Sequence, residues 1–145
     1  MNNTFEILQD SKKIDISIKN NNQISGMFYN DEKNIGYIEI SIEKDYGDNK
    51  LCIIEEMGLE KESRKLGYGK TFFGMLEKEY LKKECDRLIV DSEPQSILFW
   101  EKIGFEYELG ADYGEINHVK NLIKRNEVNE LNIYWNQYGG FRMYK

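Results

Sequence analysis

RKLGYGKT, Arg64 to Thr71, is the stretch on which the reading of this chain turns. Two glycines stand one residue apart among basic side chains. Phe72, Phe73, Leu76 and Tyr80 then follow at helical spacing. Glycine opens backbone conformations closed to other residues and lets the main chain approach a ligand closely. Successive N–H groups at such a bend converge on one point, and a following helix adds its positive dipole end. The stretch therefore suits a phosphate. A nucleotide-triphosphate loop requires G-x-x-x-x-G-K-[ST]. Gly69, Lys70 and Thr71 supply its end, but Arg64 occupies the place of its first glycine. A dinucleotide fingerprint needs a third glycine three residues after the second, where Phe72 stands. A glycine turn with no ligand is the plain alternative.

The flanking sequence supplies the context. Upstream, the chain reads as strands joined by short links. KIDISIK (Lys13 to Lys19) alternates apolar and polar residues, and QISGMFYN (Gln23 to Asn30) follows an asparagine-rich turn. In NIGYIEISIEK (Asn34 to Lys44), Ile38, Ile40 and Ile42 fall on one face, with Tyr37, Glu39 and Ser41 on the other. YGDNK is a turn, and LCIIEEMGL (Leu51 to Leu59) is the next strand. Short links predict an antiparallel meander. Downstream, a helix is expected from about Gly69 to Lys83. DRLIVD (Asp86 to Asp91) reads as a strand parallel to the one before that helix. SEPQSILFWEKIG is a second helix, with capping-box spacing at Ser92 and Gln95, Pro94 in its first turn and Gly104 at its close. FEYEL (Phe105 to Leu109) reads as a strand and Glu115 to Lys124 as a helix. LNIYW and FRMYK, split by NQYGG, read as a closing hairpin.

The order strand, glycine turn, helix, strand, second helix resembles the GNAT superfamily of acyl-CoA-dependent N-acetyltransferases. Arg64-Lys65-Leu66-Gly67-Tyr68-Gly69 fits that family's loop, [Q/R]-x-x-G-x-[G/A]. Phe99-Trp100-Glu101-Lys102-Ile103-Gly104-Phe105 departs at one position from its second signature, F-Y-E-K-x-G-F. The resemblance covers about residues 50–106. It implies one α+β domain over residues 1–145. The expected sheet is mixed, mostly antiparallel and twisted, with helices on both faces and a splayed parallel strand pair.

The resemblance also implies a site. Arg64, Lys65, Leu66, Gly67, Tyr68, Gly69 and Lys70 would hold the pyrophosphate of coenzyme A, mainly through backbone amides. Backbone groups of Met57, Gly58 and Leu59 would bind the pantetheine arm and the acetyl oxygen, with the Met57 N–H as oxyanion donor. Ser96 and Phe99 would contact the coenzyme from the second helix; Glu93 stands where the family often has asparagine. A base must take a proton from the amine. Glu55 and Glu56 are the candidates, and strict alternation favours Glu55, on the face of Met57. A bulge would undo that count. Asp91 ranks third. The family's acid is the tyrosine of F-Y, but Trp100 stands there, and an indole N–H does not protonate a thiolate. Tyr107 or an unassisted thiolate are the alternatives. The family usually places two helices after its first strand to wall the acceptor site, and no amphipathic helix precedes Gly69 here. The acceptor site would then be open, or walled by residues 110–138, whose aromatics more plainly serve a core or a homodimer contact. Two further readings are a coenzyme-binding domain without catalysis, with Trp100 as the trace of a lost acid, and an interaction domain without a ligand.

Bulk properties set the outer bounds. The chain has 145 residues, 40% hydrophobic and 32% charged, with one proline. That suits a folded domain rather than disorder. The net charge of -6 disfavours nonspecific nucleic-acid binding and favours a cationic amine acceptor. One histidine and two cysteines are too few for an ordinary zinc site. Cys52 and Cys85 read as small buried hydrophobes, with a disulfide not expected. The N-terminal residues lack the basic-then-apolar pattern of a signal peptide, and no apolar run approaches membrane-spanning length, so a cytoplasmic protein without membrane contact is expected.

Overall fold

The computed structural model describes residues 3–64 and 66–145. The chain divides into two units, Met1–Leu88 and Ile89–Lys145. It is an α+β protein whose strands pair mostly antiparallel, as the sequence predicts.

The first unit is a five-strand meander followed by a helix. Its strands are β1 (Asn3–Gln9), β2 (Lys12–Lys19), β3 (Gln23–Asn30), β4 (Lys33–Lys44) and β5 (Lys50–Leu59), each antiparallel to the next. β1 is a strand that the sequence reading did not include. Its alternation is masked by Leu8, which lies on the polar side and is 68% exposed. The first three links are tight. Asp10, Asn20, Asn21, Asp31 and Glu32 take φ between 49° and 68°, the left-handed turns that match strand twist.

Register gives each face its character. Cross-strand partners share a face, so one line runs Phe5, Ile16, Gly26, Ile38, Met57 and another runs Ile18, Ile24, Ile40, Ile54. This face carries the helix α1 (Tyr68–Leu76), which runs through a π-helical turn (Glu77–Leu81) into a last turn, α2 (Lys82–Glu84). Phe72 is fully buried and stacks on Phe28, ring centroids 4.8 Å apart, and Phe5 meets Tyr80 at 5.2 Å. The opposite face is polar.

Cys52 and Cys85 form a disulfide, with Cα atoms 5.8 Å apart. This corrects the expectation of two free thiols. Their distance in sequence gave no sign of it. The helix brings Cys85 back beside the start of β5, where the Lys50 N–H donates to Asp86 at 2.7 Å and the Asp86 N–H returns a bond to the Lys50 carbonyl.

The second unit begins within β6 (Arg87–Ser92) and holds α3 (Ile97–Lys102), β7 (Glu106–Tyr107), α4 (Tyr113–Lys124), α5 (Val128–Tyr138) and β8 (Phe141–Tyr144). β8 pairs antiparallel with β6 and with β7. Three expectations change here. LNIYW is helical, so the closing hairpin does not form. Leu131 and Tyr134 are buried one helical turn apart, and with Ile97, Ile116, Val119 and Leu122 they make this unit's core. β-propensity suggested a strand, but the apolar period is helical. The capping box is absent. Ser92 ends β6 in extended pairing with Phe141, and its hydroxyl donates to the Glu93 carbonyl. The strand expected at Phe105 to Leu109 shortens to two residues. At α4, Asp112 caps the helix by accepting from the Gly114 and Glu115 N–H groups.

Candidate active site

β5 is the strand on which the candidate site is built. Its pairing with β4 shifts between Glu39 and Ile40: Glu56 faces Glu39, Ile54 faces Ile40, and Glu55 is the extra residue between them. The bulge resets the alternation. Ile54 and Met57 lie on the helix-covered face, and both glutamates turn to the polar one. The alternation argument that placed Glu55 with Met57 therefore fails. Instead the two carboxylates stand side by side, each accepting a hydroxyl from β4: Ser41 to Glu55 at 2.6 Å and Tyr37 to Glu56. Ser25 does the same for Glu39 at 2.6 Å. Both Glu55 and Glu56 are exposed.

Tyr37 also explains a glycine. Its ring lies over Gly58, where a Cβ would sit 2.6 Å from the ring carbon Cε1. A side chain at residue 58 would push the ring off Glu56. Sequence reasoning missed Tyr37 and Ser41 as partners of the glutamates, although their alternation with Ile38, Ile40 and Ile42 already placed them on this face.

Past Gly58 the strand leads to the glycine loop. The Glu60 N–H donates to the Ile35 carbonyl, at the β4 side. Alternation along the strand then directs the Gly58 N–H to β4 and those of Met57 and Leu59 to the other edge. Arg64 ties the loop to the strand end, its Nε donating to the Leu59 carbonyl at 2.9 Å. Gly67 has φ 76° and opens α1, with only open space where a Cβ would project. The helix's own bonding begins with the Thr71 N–H, which donates to the Gly67 carbonyl. The N–H groups of Tyr68, Gly69 and Lys70 thus have no acceptor within the helix. Leu66 and Lys70 are exposed and Gly69 is buried. The Tyr68 hydroxyl accepts from Asn30 at 3.3 Å. Lys65 lies outside the described residues.

The second unit's candidates are occupied locally. Trp100 is buried and packs edge-on against Phe99 and Phe105. Ser96 begins α3 and is half-buried, as is Phe99. Asp91 holds Arg142 through two bonds of 2.8 Å, and this guanidinium keeps its carboxyl below the usual aspartate range. Tyr107 donates to Glu101 at 3.0 Å, and Glu101 also pairs with Lys120 at 2.9 Å. Burial, then the bond to Glu101, holds the Tyr107 hydroxyl well above the ordinary tyrosine range. Tyr134, donating to Glu115, is pushed up to about 12, again mainly by burial. Neither Asp91 nor Tyr107 has the free group that a base or an acid needs.

The sequence profile of the acetyltransferase (GNAT) family matches residues 3–105. The chain belongs to this family. Among solved structures, this GNAT chain is similar to the PaiA N-acetyltransferase of Thermoplasma acidophilum in complex with coenzyme A, at 20% identity and TM-score 0.56, covering 86% of this chain and 60% of that one. It is similar to GCN5 of Tetrahymena, at 18% identity and TM-score 0.54, covering 85% and 67%. It is also similar to glucosamine-6-phosphate N-acetyltransferase of Arabidopsis thaliana, at 18% and 0.53, covering 64% and 66%. The chain thus spans about three fifths to two thirds of the length of these relatives. At this identity they establish the GNAT fold. Comparison with curated protein sequences returns no match. No helix among the described residues is long and apolar enough to cross a membrane.

Proposed function

We propose that the chain is an N-acetyltransferase that moves an acetyl group from acetyl-CoA to a primary amine by direct attack. The observation that carries this reading is the β5 bulge, which sets two hydrogen-bonded carboxylates on one face of the strand leading to the Gly67 turn. Acetyl-CoA supplies the thioester whose carbonyl carbon the amine attacks.

The residues present suit that cosubstrate. The first N–H groups of α1, at Tyr68, Gly69 and Lys70, and the open space above Gly67 suit a pyrophosphate. Arg64, Leu66 and Lys70 border this turn, and the family pattern adds Lys65. The Met57 N–H, directed to the strand edge away from β4, would donate to the acetyl oxygen, and Gly58 and Leu59 would hold the pantetheine amides. The family pattern also assigns coenzyme contacts to Ser96 and Phe99. A primary amine is an ammonium at neutral pH and must lose a proton before it attacks. Glu56 takes that proton, directly or through water. It is preferred over Glu55 because Tyr37 fixes its carboxylate one residue from Met57. Trp100, buried among aromatics, gives no acid, so the thiolate leaves to solvent.

The test is thiol release from acetyl-CoA across a panel of primary amines, with the melting temperature followed as acetyl-CoA is added. A native-state ligand at one hundred times its Kd stabilises by about 2.7 kcal/mol. Thiol release that depends on the amine, together with that upward shift, is expected. A shift without release would favour coenzyme binding without catalysis, the reading that Trp100 suggests. No shift at millimolar acetyl-CoA would end both.

A further inference from the structure

We infer that the Cys52–Cys85 bond is a reversible redox latch, opened by dithiols, that sets how tightly β5 and the Gly67 turn hold coenzyme A, with the oxidised form binding more tightly. This rests on the coenzyme reading above and adds a means of regulating that same site.

The bond joins the far ends of the two elements that the coenzyme would bridge. Cys52 lies near the start of β5, about 17 Å along the strand from Met57. Cys85 directly follows the helical run of residues 68–84, at the opposite end from the Gly67 turn. That run is about 25 Å long. Glu55, Glu56, Met57 and the Gly67 turn all fall inside the covalent ring, whose closing residues are 33 apart in sequence. The bond and the candidate site are thus distinct places on the same two rods.

That arrangement couples them. Phe72, Phe73 and Leu76 seat the middle of the helix on the sheet, and Leu81 is buried too. Beyond it Lys82 and Lys83 are exposed. The helix end is held to β5 by the disulfide, by the reciprocal Lys50–Asp86 bonds of 2.7 and 2.9 Å, and by the Lys50–Glu84 ion pair at 3.6 Å. Cutting the covalent tie frees that end to fluctuate, and a rod seated at its middle passes the motion to its other end. A coenzyme that meets the freed form must first order it, which lowers affinity. Linkage makes the effect mutual: the factor by which reduction weakens coenzyme binding is the factor by which bound coenzyme favours disulfide over dithiol.

The surroundings let the bond be cut and remade. Cys52 is fully buried and Cys85 is half-buried, so an incoming thiolate reaches the Cys85 Sγ. It forms a mixed disulfide there, and the Cys52 Sγ leaves with the bonding pair and takes up a proton. The second thiol of the same dithiol then attacks its own partner sulfur in that mixed bond. The Cys85 thiolate leaves and is protonated in turn. Two electrons and two protons have passed to the protein, and the reagent departs as a disulfide. The Lys50–Asp86 bonds involve no sulfur and keep the two thiols side by side. An oxidised dithiol therefore reverses the steps without a large rearrangement.

The experiment uses desulfo-coenzyme A, which lacks the thiol that would itself attack the bond. It is titrated by calorimetry into the oxidised protein, into protein reduced with dithiothreitol, and into Cys85→Ser, each checked for folding by circular dichroism. The ratio of dithiol to disulfide is then measured in dithiothreitol redox buffers, with and without saturating probe, by alkylation and mass spectrometry. Expected is a Kd about fivefold higher for the reduced protein and for Cys85→Ser, with no response of Cys85→Ser to reductant. The redox equilibrium should shift toward disulfide by the same factor when the probe is bound. Equal Kd for the folded oxidised and reduced forms would overturn the latch and leave the coenzyme reading intact, as would a redox equilibrium that ignores the probe. A reduced protein that loses its circular dichroism would mark the bond as a structural staple and overturn the latch as well. No binding of the probe to any form would sink the coenzyme reading, and the latch with it.

Discussion

The same five strands make both faces of the first unit's sheet, and the two faces do opposite work. The covered face is a run of isoleucines closed by Phe72, Phe73 and Leu76 from α1. The bare face carries hydroxyls and carboxylates that bond to one another across strands. Neighbouring residues such as Ile16 and Ser17 therefore belong to different physical problems. One side holds the fold by removing apolar surface from water, and the other keeps charge in reach of solvent. A single bulged residue, Glu55, moves a carboxylate from one regime to the other.

The contrast can be broken from the covered side first. Phe72→Ala should cost about 3–5 kcal/mol of unfolding free energy, by denaturant titration, because a fully buried ring stacked on Phe28 is lost. Reducing the Cys52–Cys85 bond, which closes a sequence separation of 33 residues, should cost about 3 kcal/mol; an unchanged melting temperature with reductant would show that the bond carries no stability. On the bare side the effect should move from stability to turnover. Glu56→Gln should lower kcat/KM by about a hundredfold, worth about 2.7 kcal/mol, while leaving stability within about 1 kcal/mol. Equal turnover would pass the role of base to Glu55. Gly58→Ala should cost about 1–3 kcal/mol, since its Cβ displaces Tyr37, and activity should fall with it. Smallest is Ser17→Ala, expected to stay within about 0.5 kcal/mol in the same titration.

How much of this was legible in the sequence depends on range. The strands β2 to β5 and the helix after Gly67 follow from local period and turn chemistry, and their bounds agree closely with the structure. Glu55 and Glu56 were named as a pair, yet their shared face was not readable, because it depends on where β4 and β5 slip register. The Cys52–Cys85 bond was hidden for a similar reason: it needs the helix to return the chain to the start of β5. LNIYW was misread because β-branched and aromatic residues suggest a strand, while the apolar period that decides the matter spans Leu131, Tyr134 and their partners on α4. The Gly67 turn was legible, since glycine takes a φ of 76° at no steric cost.

Every pairing among β1 to β5 joins strands that follow directly in the chain. Such short-range assembly closes small loops and is kinetically quick. The sheet can therefore zip up hairpin by hairpin as synthesis delivers it, with its acidic side already laid out before the glycine turn exists. The Gly67 turn is made late, together with the helix that closes the sheet's apolar face.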